Sequence, residues 1–274
     1  MQNKHDVMRA TVGSGFKPLR RFGLLLVLAV PWFAPWAAQA QSPVRIKIAA
    51  ASNLKFVLAD LASQYRQQTG VQIDVNLGAS GNLARQILQG LPVEQFISAD
   101  EVWVAELAKA GLTQDAGQRY ATGRLALIVP KNSALPLAQG LAAVVRSMKP
   151  SDKFAIANPA LAPYGVAAVE ALQRAGVGPL PAHQKVLGDN IGQATQFVAT
   201  GAAQAGITAL ALAQAPEIAQ GLQVLPLPAD LHAPLHQRMV LLKGAGAAAA
   251  DWHRFLLSPT AQAVFVRHGY ALPQ

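Results

Sequence analysis

Hydrophobic and polar positions alternate along residues 44–51, with Val44, Ile46 and Ile48 on one side and Arg45 and Lys47 on the other, a period of two that predicts a β-strand. Directly after it the period changes. Leu54, Val57, Leu58, Leu61 and Tyr65 recur at helical spacing until Gly70, a residue suited to stopping a helix. The same unit returns as strand 71–77 with helix 83–89 and Gly90, then as strand 96–98 with a helix opened by Asp100 and stopped at Gly111. Strands alternating with helices of this length predict a parallel sheet covered by helices on both faces.

A further apolar strand, 124–129, ends at Pro130 in a loop rich in Pro, Ser and Asn. A second set of units follows: strand 154–157, helix 166–175 with Gly176, strand 185–187, helix 193–200 and strand 205–208. Two sets predict two lobes. The proline-rich stretch 225–234 reads as a return crossing, and strand 239–242 with helices 247–257 and 259–268 is expected to rejoin the first lobe. Ligands of open parallel sheets bind beyond the carboxyl ends of the strands, so two such edges would face each other across a cleft.

Four strand-to-helix junctions fall at that cleft: Ala51-Ser52-Asn53, Ala79-Ser80-Gly81-Asn82, Pro163-Tyr164-Gly165 and Asp189-Asn190-Ile191-Gly192. Each offers donors, and apart from Asp189 none of them contains a charged residue. The first turn of a helix has unpaired backbone N–H groups and the positive end of the macrodipole, so several brought together can hold an anion without Lys or Arg. The pattern points to binding an oxyanion and not to reacting with it.

The first forty residues stand apart. Lys17, Arg20 and Arg21 precede a short apolar run, 22–30, and Ala38-Gln39-Ala40 has the small residues a signal peptidase accepts, so residues 1–40 read as a signal peptide cleaved after Ala40. Their removal takes five of 23 Lys and Arg and one of 14 Asp and Glu, leaving 18 against 13 and a mild charge of +5. The basic residues are scattered, without the runs or aromatic interleaving of a nucleic-acid surface. No cysteine is present, which excludes disulfides and an N-terminal lipid on Cys. The expected product is a freely moving, monomeric periplasmic protein with no nucleic-acid partner.

Other chemistries fit less well. Ser52-Asn53-Leu54-Lys55 is an S-x-x-K tetrad at a helix start, but S-D-N is missing and the nearest approach to K-T-G is Lys243-Gly244-Ala245. Ser52 reads as an N-cap with or without a ligand role, and Ser80 as a ligand donor or a capping serine in a turn. His232 and His236 flank Pro234, which prevents one helical face, so no metal is expected. Asp100 and Glu101 read as a cap and a first-turn acid, because adjacent helical positions point apart. Tyr164, fixed between Pro163 and Gly165, is either a core aromatic or the exposed N–H donor of a turn.

On these residues the chain resembles the periplasmic molybdate-binding proteins of ABC importers over residues 44–274. The resemblance rests on Ile48-Ala49-Ala50-Ala51-Ser52-Asn53, Ser80-Gly81 before Leu83-Ala84-Arg85-Gln86-Ile87, Phe96-Ile97-Ser98-Ala99-Asp100, Asn158-Pro159 with Ala162-Pro163-Tyr164-Gly165, and Asn190-Ile191-Gly192-Gln193-Ala194. It implies an α/β, two-lobed type II periplasmic-binding-protein fold, each lobe a mostly parallel sheet flanked by helices, with the ligand cleft between them. Residues 44–123 and 236–274 would form one lobe and 124–235 the other. The implied ligand is molybdate or tungstate, held by hydroxyls of Ser52 and Ser80 and backbone amides of Ser52, Ser80, Tyr164 and Ile191, and passed to a membrane permease without cofactor or catalysis. Another branch of the family adds a tyrosine hydroxyl after a late strand. Here Gly206-Ile207-Thr208 leads to Ala209, and Asn53 stands as the replacement donor. A binder of sulfate or another tetrahedral anion is the alternative, and a serine hydrolase using Ser52 and Lys55 a more distant one.

Overall fold

The computed structural model describes residues 43–273, so the expected signal peptide lies outside the described residues. The first half runs β1 (Arg45–Ala51), α1 (Lys55–Thr69), β2 (Gln72–Gly78), α2 (Ser80–Leu88), β3 (Gln95–Ile97), α3 (Val102–Lys109), β4 (Gln118–Gly123) and β5 (Leu125–Pro130). There follow α4 (Leu141–Ser147), β6 (Phe154–Ala157), α5 (Pro163–Arg174), β7 (Lys185–Gly188), α6 (Ile191–Ala199) and β8 (Ala205–Ala209). The chain ends with α7 (Leu210–Ala213), α8 (Pro216–Ala219), β9 (Leu222–Pro226), β10 (Leu235–Leu241), α9 (Ala247–Leu256) and α10 (Pro259–Arg267).

The strands form two five-stranded sheets, ordered β2-β1-β3-β10-β4 and β7-β6-β8-β5-β9. In each, three neighbours pair in parallel, and one strand, β10 or β5, runs against both of its partners. The outermost strand beyond it therefore points the same way as the first three. The chain passes between the sheets twice, at Arg124 and through residues 227–234. This is the two-lobed arrangement, and it sets the carboxyl ends of β1, β2, β6 and β7 where helices begin.

Local pattern explains most of this. Ile46 and Ile48 of β1 are buried while Arg45 and Lys47 are exposed, as the alternation requires. Val57, Leu58, Leu61 and Tyr65 bury the predicted face of α1, each burial worth about 1.5–3 kcal/mol for a large apolar side chain, and Gly70 closes the helix at φ 74°. The C-terminal helices return to α1: Trp252 meets the Tyr65 ring edge-on at 5.1 Å and Phe255 meets it at 5.0 Å.

Several elements depart from the sequence reading. β4 was hidden by its polar residues, because Arg119 is paired with Glu101 while Tyr120 is buried. The supposed crossing 225–234 begins inside β9, an edge strand bonded only to β5, where Pro226 is tolerated as it would not be in a central strand. Residues 141–147, within the supposed loop, form α4 after Gly140 at φ 89°. β10 also starts four residues earlier than the predicted 239, since its buried Gln237 masks the strand pattern.

Candidate functional site

The four junctions meet in a ring. Ala51 and Gly78 are partners in the β1–β2 ladder, so the first junction adjoins the second. Gly81 donates its backbone N–H to Leu161 O at 3.0 Å, joining the second to the loop that opens the third. Asn158 N–H donates to Gly188 O at 2.8 Å, joining third to fourth. The circle closes where Gly192 N–H donates to Ser52 Oγ at 3.3 Å. The Gly81 and Gly192 bonds both run between the lobes. Close approach at Gly81 needs glycine, because a Cβ there would lie 2.6 Å from the Trp103 ring and 2.9 Å from Leu161 O.

Inside the ring Ser52, Asn53, Ser80, Tyr164 and Ile191 are all buried. Among the described residues no protein acceptor takes the backbone N–H of Ser52, Ser80, Tyr164 or Ile191. Neighbouring donors are accounted for: Gly165 N–H goes to Ala162 O, Gln193 N–H to the capping Asn190 Oδ1, and Leu83 N–H to Ala79 O. Buried backbone donors are rarely left without an acceptor, so four at one place mark a candidate site for an acceptor-rich ligand.

The two serine hydroxyls are oriented by what they accept. Ser52 Oγ takes Gly192 N–H, and Ser80 Oγ takes Ala99 N–H at 3.0 Å. An accepted bond occupies a lone pair and leaves the hydroxyl proton free to donate. Both serines thus serve the fold through the oxygen and offer the site a proton. The simple capping role is not what the structure shows, since neither junction helix has a side-chain cap bond.

Asn53 behaves differently from the expectation. Its Nδ2 donates to Gln237 Oε1 at 3.1 Å and to Tyr270 Oη at 2.9 Å, so the amide protons are spent inside the protein in this arrangement. Its Oδ1 is buried without a partner. Tyr164 unites both of its readings: its phenol is core, accepting from Gln237 Nε2 at 3.0 Å, while its N–H stands at the start of α5. Gln237, Tyr120 and Tyr270, which build this cluster, carry no local sequence signal, because their partners lie 22 to 217 residues away. Ala209, at the end of β8, is fully buried.

The acidic pair divides as adjacent positions should. Asp100 accepts from Ser98 Oγ at 3.0 Å and Trp103 N–H at 3.4 Å, and burial raises its carboxyl above the usual range. Glu101 instead takes both Arg119 and Arg238, a pairing the sequence reading missed. Hydrogen bonds from the Arg119 guanidinium, then from Arg238, hold its carboxyl down at about 2. Lys55 is exposed, with Nζ over the Phe56 ring at 5.1 Å. His232 and His236 bond separately to Ala233 O and Thr122 Oγ1. None of the hydrogen bonds made by Ser52, Asn53, Ser80, Tyr164 or Ile191 among the described residues reaches a charged side chain.

The sequence profile of the bacterial extracellular solute-binding proteins matches residues 46–271. The chain belongs to that family. Among its relatives this solute-binding protein is 35% identical to the molybdate-binding protein ModA of Azotobacter vinelandii, over 89% of this chain and 97% of that one. It is 33% identical to ModA of Rhodobacter capsulatus, over 81% and 86% of the two chains. The solved periplasmic molybdate-binding protein of Azotobacter vinelandii superimposes with a TM-score of 0.74 at 30% identity, covering 84% of this chain and all of that one. Its fold is therefore the periplasmic binding-protein fold.

Proposed function

We propose that the protein captures molybdate or tungstate in the cleft between its lobes and delivers it to the membrane permease of an ABC importer. The observation that carries this reading is the donor set, four unpaired backbone N–H groups and two free hydroxyl protons in a ring with no charged side chain bonded to it. Molybdate and tungstate are tetrahedral dianions without a proton at neutral pH, so donors alone satisfy them. Hydrogenphosphate carries a proton that needs an acceptor, and it is disfavoured. The relatives named for molybdate binding support the choice of ligand.

Ser52, Ser80, Tyr164 and Ile191 supply the donors, and Asn53 joins them if its amide turns. Residues 44–123 with 235–274 form one lobe and 124–234 the other, Leu235 joining the first because it pairs with Gly123, and they close about the two crossing segments. The protein works in the periplasm as a monomer, after cleavage behind Ala40, with no resident cofactor, no nucleic-acid partner and no reaction of its own. Ser52 Oγ faces Gly192 N–H and Lys55 faces Phe56, a poor arrangement for a serine nucleophile and its base.

Calorimetric titration with molybdate, tungstate, sulfate and phosphate tests this reading. Molybdate and tungstate should bind and phosphate should give no heat. Preference for sulfate would move the assignment to another tetrahedral oxyanion, and phosphate binding as tight as molybdate would end the donor-only account. Turnover of a chromogenic β-lactam would revive the hydrolase.

A further inference from the structure

Behind the ring lies a buried cluster in which donors and acceptors do not match one to one. Asn53 Nδ2 donates to Gln237 Oε1 and Tyr270 Oη, Gln237 Nε2 donates to Tyr164 Oη, and Tyr270 Oη donates to Asn53 O at 2.9 Å. Tyr120 Oη lies 2.6 Å from Gln237 Oε1 and 2.9 Å from Ser98 O. Burial raises all three phenols, so each keeps its single proton. Tyr120 then has one proton for two acceptors. The Tyr164 proton has no acceptor among the described residues, and Asn53 Oδ1 has no donor.

An amide's oxygen and nitrogen fill the same outline, and hydrogen bonding decides between them. With both amides turned over, Gln237 Nε2 donates to Tyr120 Oη and Asn53 Oδ1, Tyr120 donates to Ser98 O, and Tyr164 donates to Gln237 Oε1. Asn53 Nδ2 then takes the unpartnered position as a donor beside Ser52. The turned arrangement has its own costs: Tyr270 meets two oxygens of Asn53 with one proton, and 2.6 Å is just under the N–H···O range. The two arrangements are closely matched inside the protein. They differ in whether the first junction holds out an acceptor or a donor.

We infer that Asn53 and Gln237 form a coupled amide pair that turns over when an oxyanion binds, with Gln237 the positioning residue that decides what Asn53 offers the ligand. This rests on the anion-binding function proposed above, and it adds a source of selectivity within that site. Gln237 is suited to the part because it reaches Asn53 beyond the first sheet and Tyr164 beyond the second, so the switch is assembled only with the lobes together. In the turned state every group facing the anion donates, and a protonated phosphate has no acceptor to meet.

Gln237→Glu supplies a carboxylate that only accepts, which holds Asn53 Nδ2 inward and Oδ1 toward the ligand. Gln237→Met removes its bonds to Asn53, Tyr120 and Tyr164 without adding charge. Titrated at pH 8 with molybdate and with phosphate, the wild type should bind molybdate alone. Gln237→Met should weaken molybdate binding by about 10- to 100-fold, the worth of one hydrogen bond to a charged partner. Gln237→Glu should narrow the ratio of molybdate to phosphate affinity, whereas added charge alone would weaken both dianions together and leave the ratio unchanged. Wild-type affinity and ratio in both folded variants would overturn the inference. Should either variant fail to melt cooperatively, Tyr120→Phe, which keeps the ring and removes one partner of Gln237, should still weaken molybdate several-fold, and native affinity there would overturn the inference equally. A wild-type protein that ignores molybdate would instead bring down the functional reading.

Discussion

In the proposed site the two halves of the ring would use different chemistry for the same task. On the first-sheet side, Ser52 and Ser80 each offer a hydroxyl as well as a backbone N–H, whereas on the second-sheet side Tyr164 and Ile191 offer the backbone alone. Side-chain exchange can reach the first half. The second half is indifferent to side chain and can be reached only by removing an N–H. The supporting framework is uneven too, since Glu101 ties α3 to β4 and β10 through two arginines in the first lobe, and the second lobe has no comparable three-way pairing among its described residues.

The largest effect is expected on the hydroxyl side. Ser80→Ala should cost about 1.5–3 kcal/mol in molybdate binding, and because Ala99 N–H loses its acceptor it should also lower stability by about 1–3 kcal/mol. Titration and melting together check both losses. A loss of stability with unchanged binding would make Ser80 a framework residue only.

On the backbone side, Ile191→Pro removes one N–H at the first position of α6, where proline is tolerated, and Asn190 before it is already extended at φ −148° and ψ 172°. Binding should fall about 10- to 100-fold while the helix persists, and Ile191→Val should bind as the wild type does. Equal behaviour of the proline and valine variants would break the contrast between the halves.

The framework predicts a smaller, pH-dependent effect. Glu101, held at about 2 against an ordinary 4.5, adds stability that is fully present above the ordinary value and is lost as pH falls through that window. Its side chain is 32% exposed, so solvent screening limits the contribution to about 1–2 kcal/mol. Melting of wild type and Glu101→Gln between pH 5 and 2 should converge at the acid end. Smallest of all, Lys55→Ala should leave anion affinity within about 0.5 kcal/mol, as for a surface substitution.

Much of this was legible in sequence because local physics sets it. The shift from period two to period 3.6, the glycine stops and the small polar junctions all act over a few residues, and they located the ring. β4 and β9 escaped because their polar and proline residues are explained only by partners distant in the chain, Glu101 for Arg119 and an edge position for Pro226. The same holds for the site. Ser52, Ser80, Tyr164 and Ile191 were visible as helix starts, but Gln237, Tyr120 and Tyr270 acquire meaning only when folding brings them to Asn53. Asn53 itself shows the limit, since its residue type suggested a donor and its surroundings decide which way the amide faces.

In the proposed complex one deprotonated tetrahedral anion is held by all four junctions at once. A crystal of the molybdate complex, with the metal located by its anomalous scattering, tests it directly. A single peak is expected inside the ring, with the anion's oxygens within hydrogen-bond reach of the N–H groups of Ser52, Ser80, Tyr164 and Ile191 and of both serine hydroxyls. A peak elsewhere, such as the cavity of about 370 Å³ lined by Trp103, Pro163 and Val166, or one that leaves a junction without contact, would contradict it.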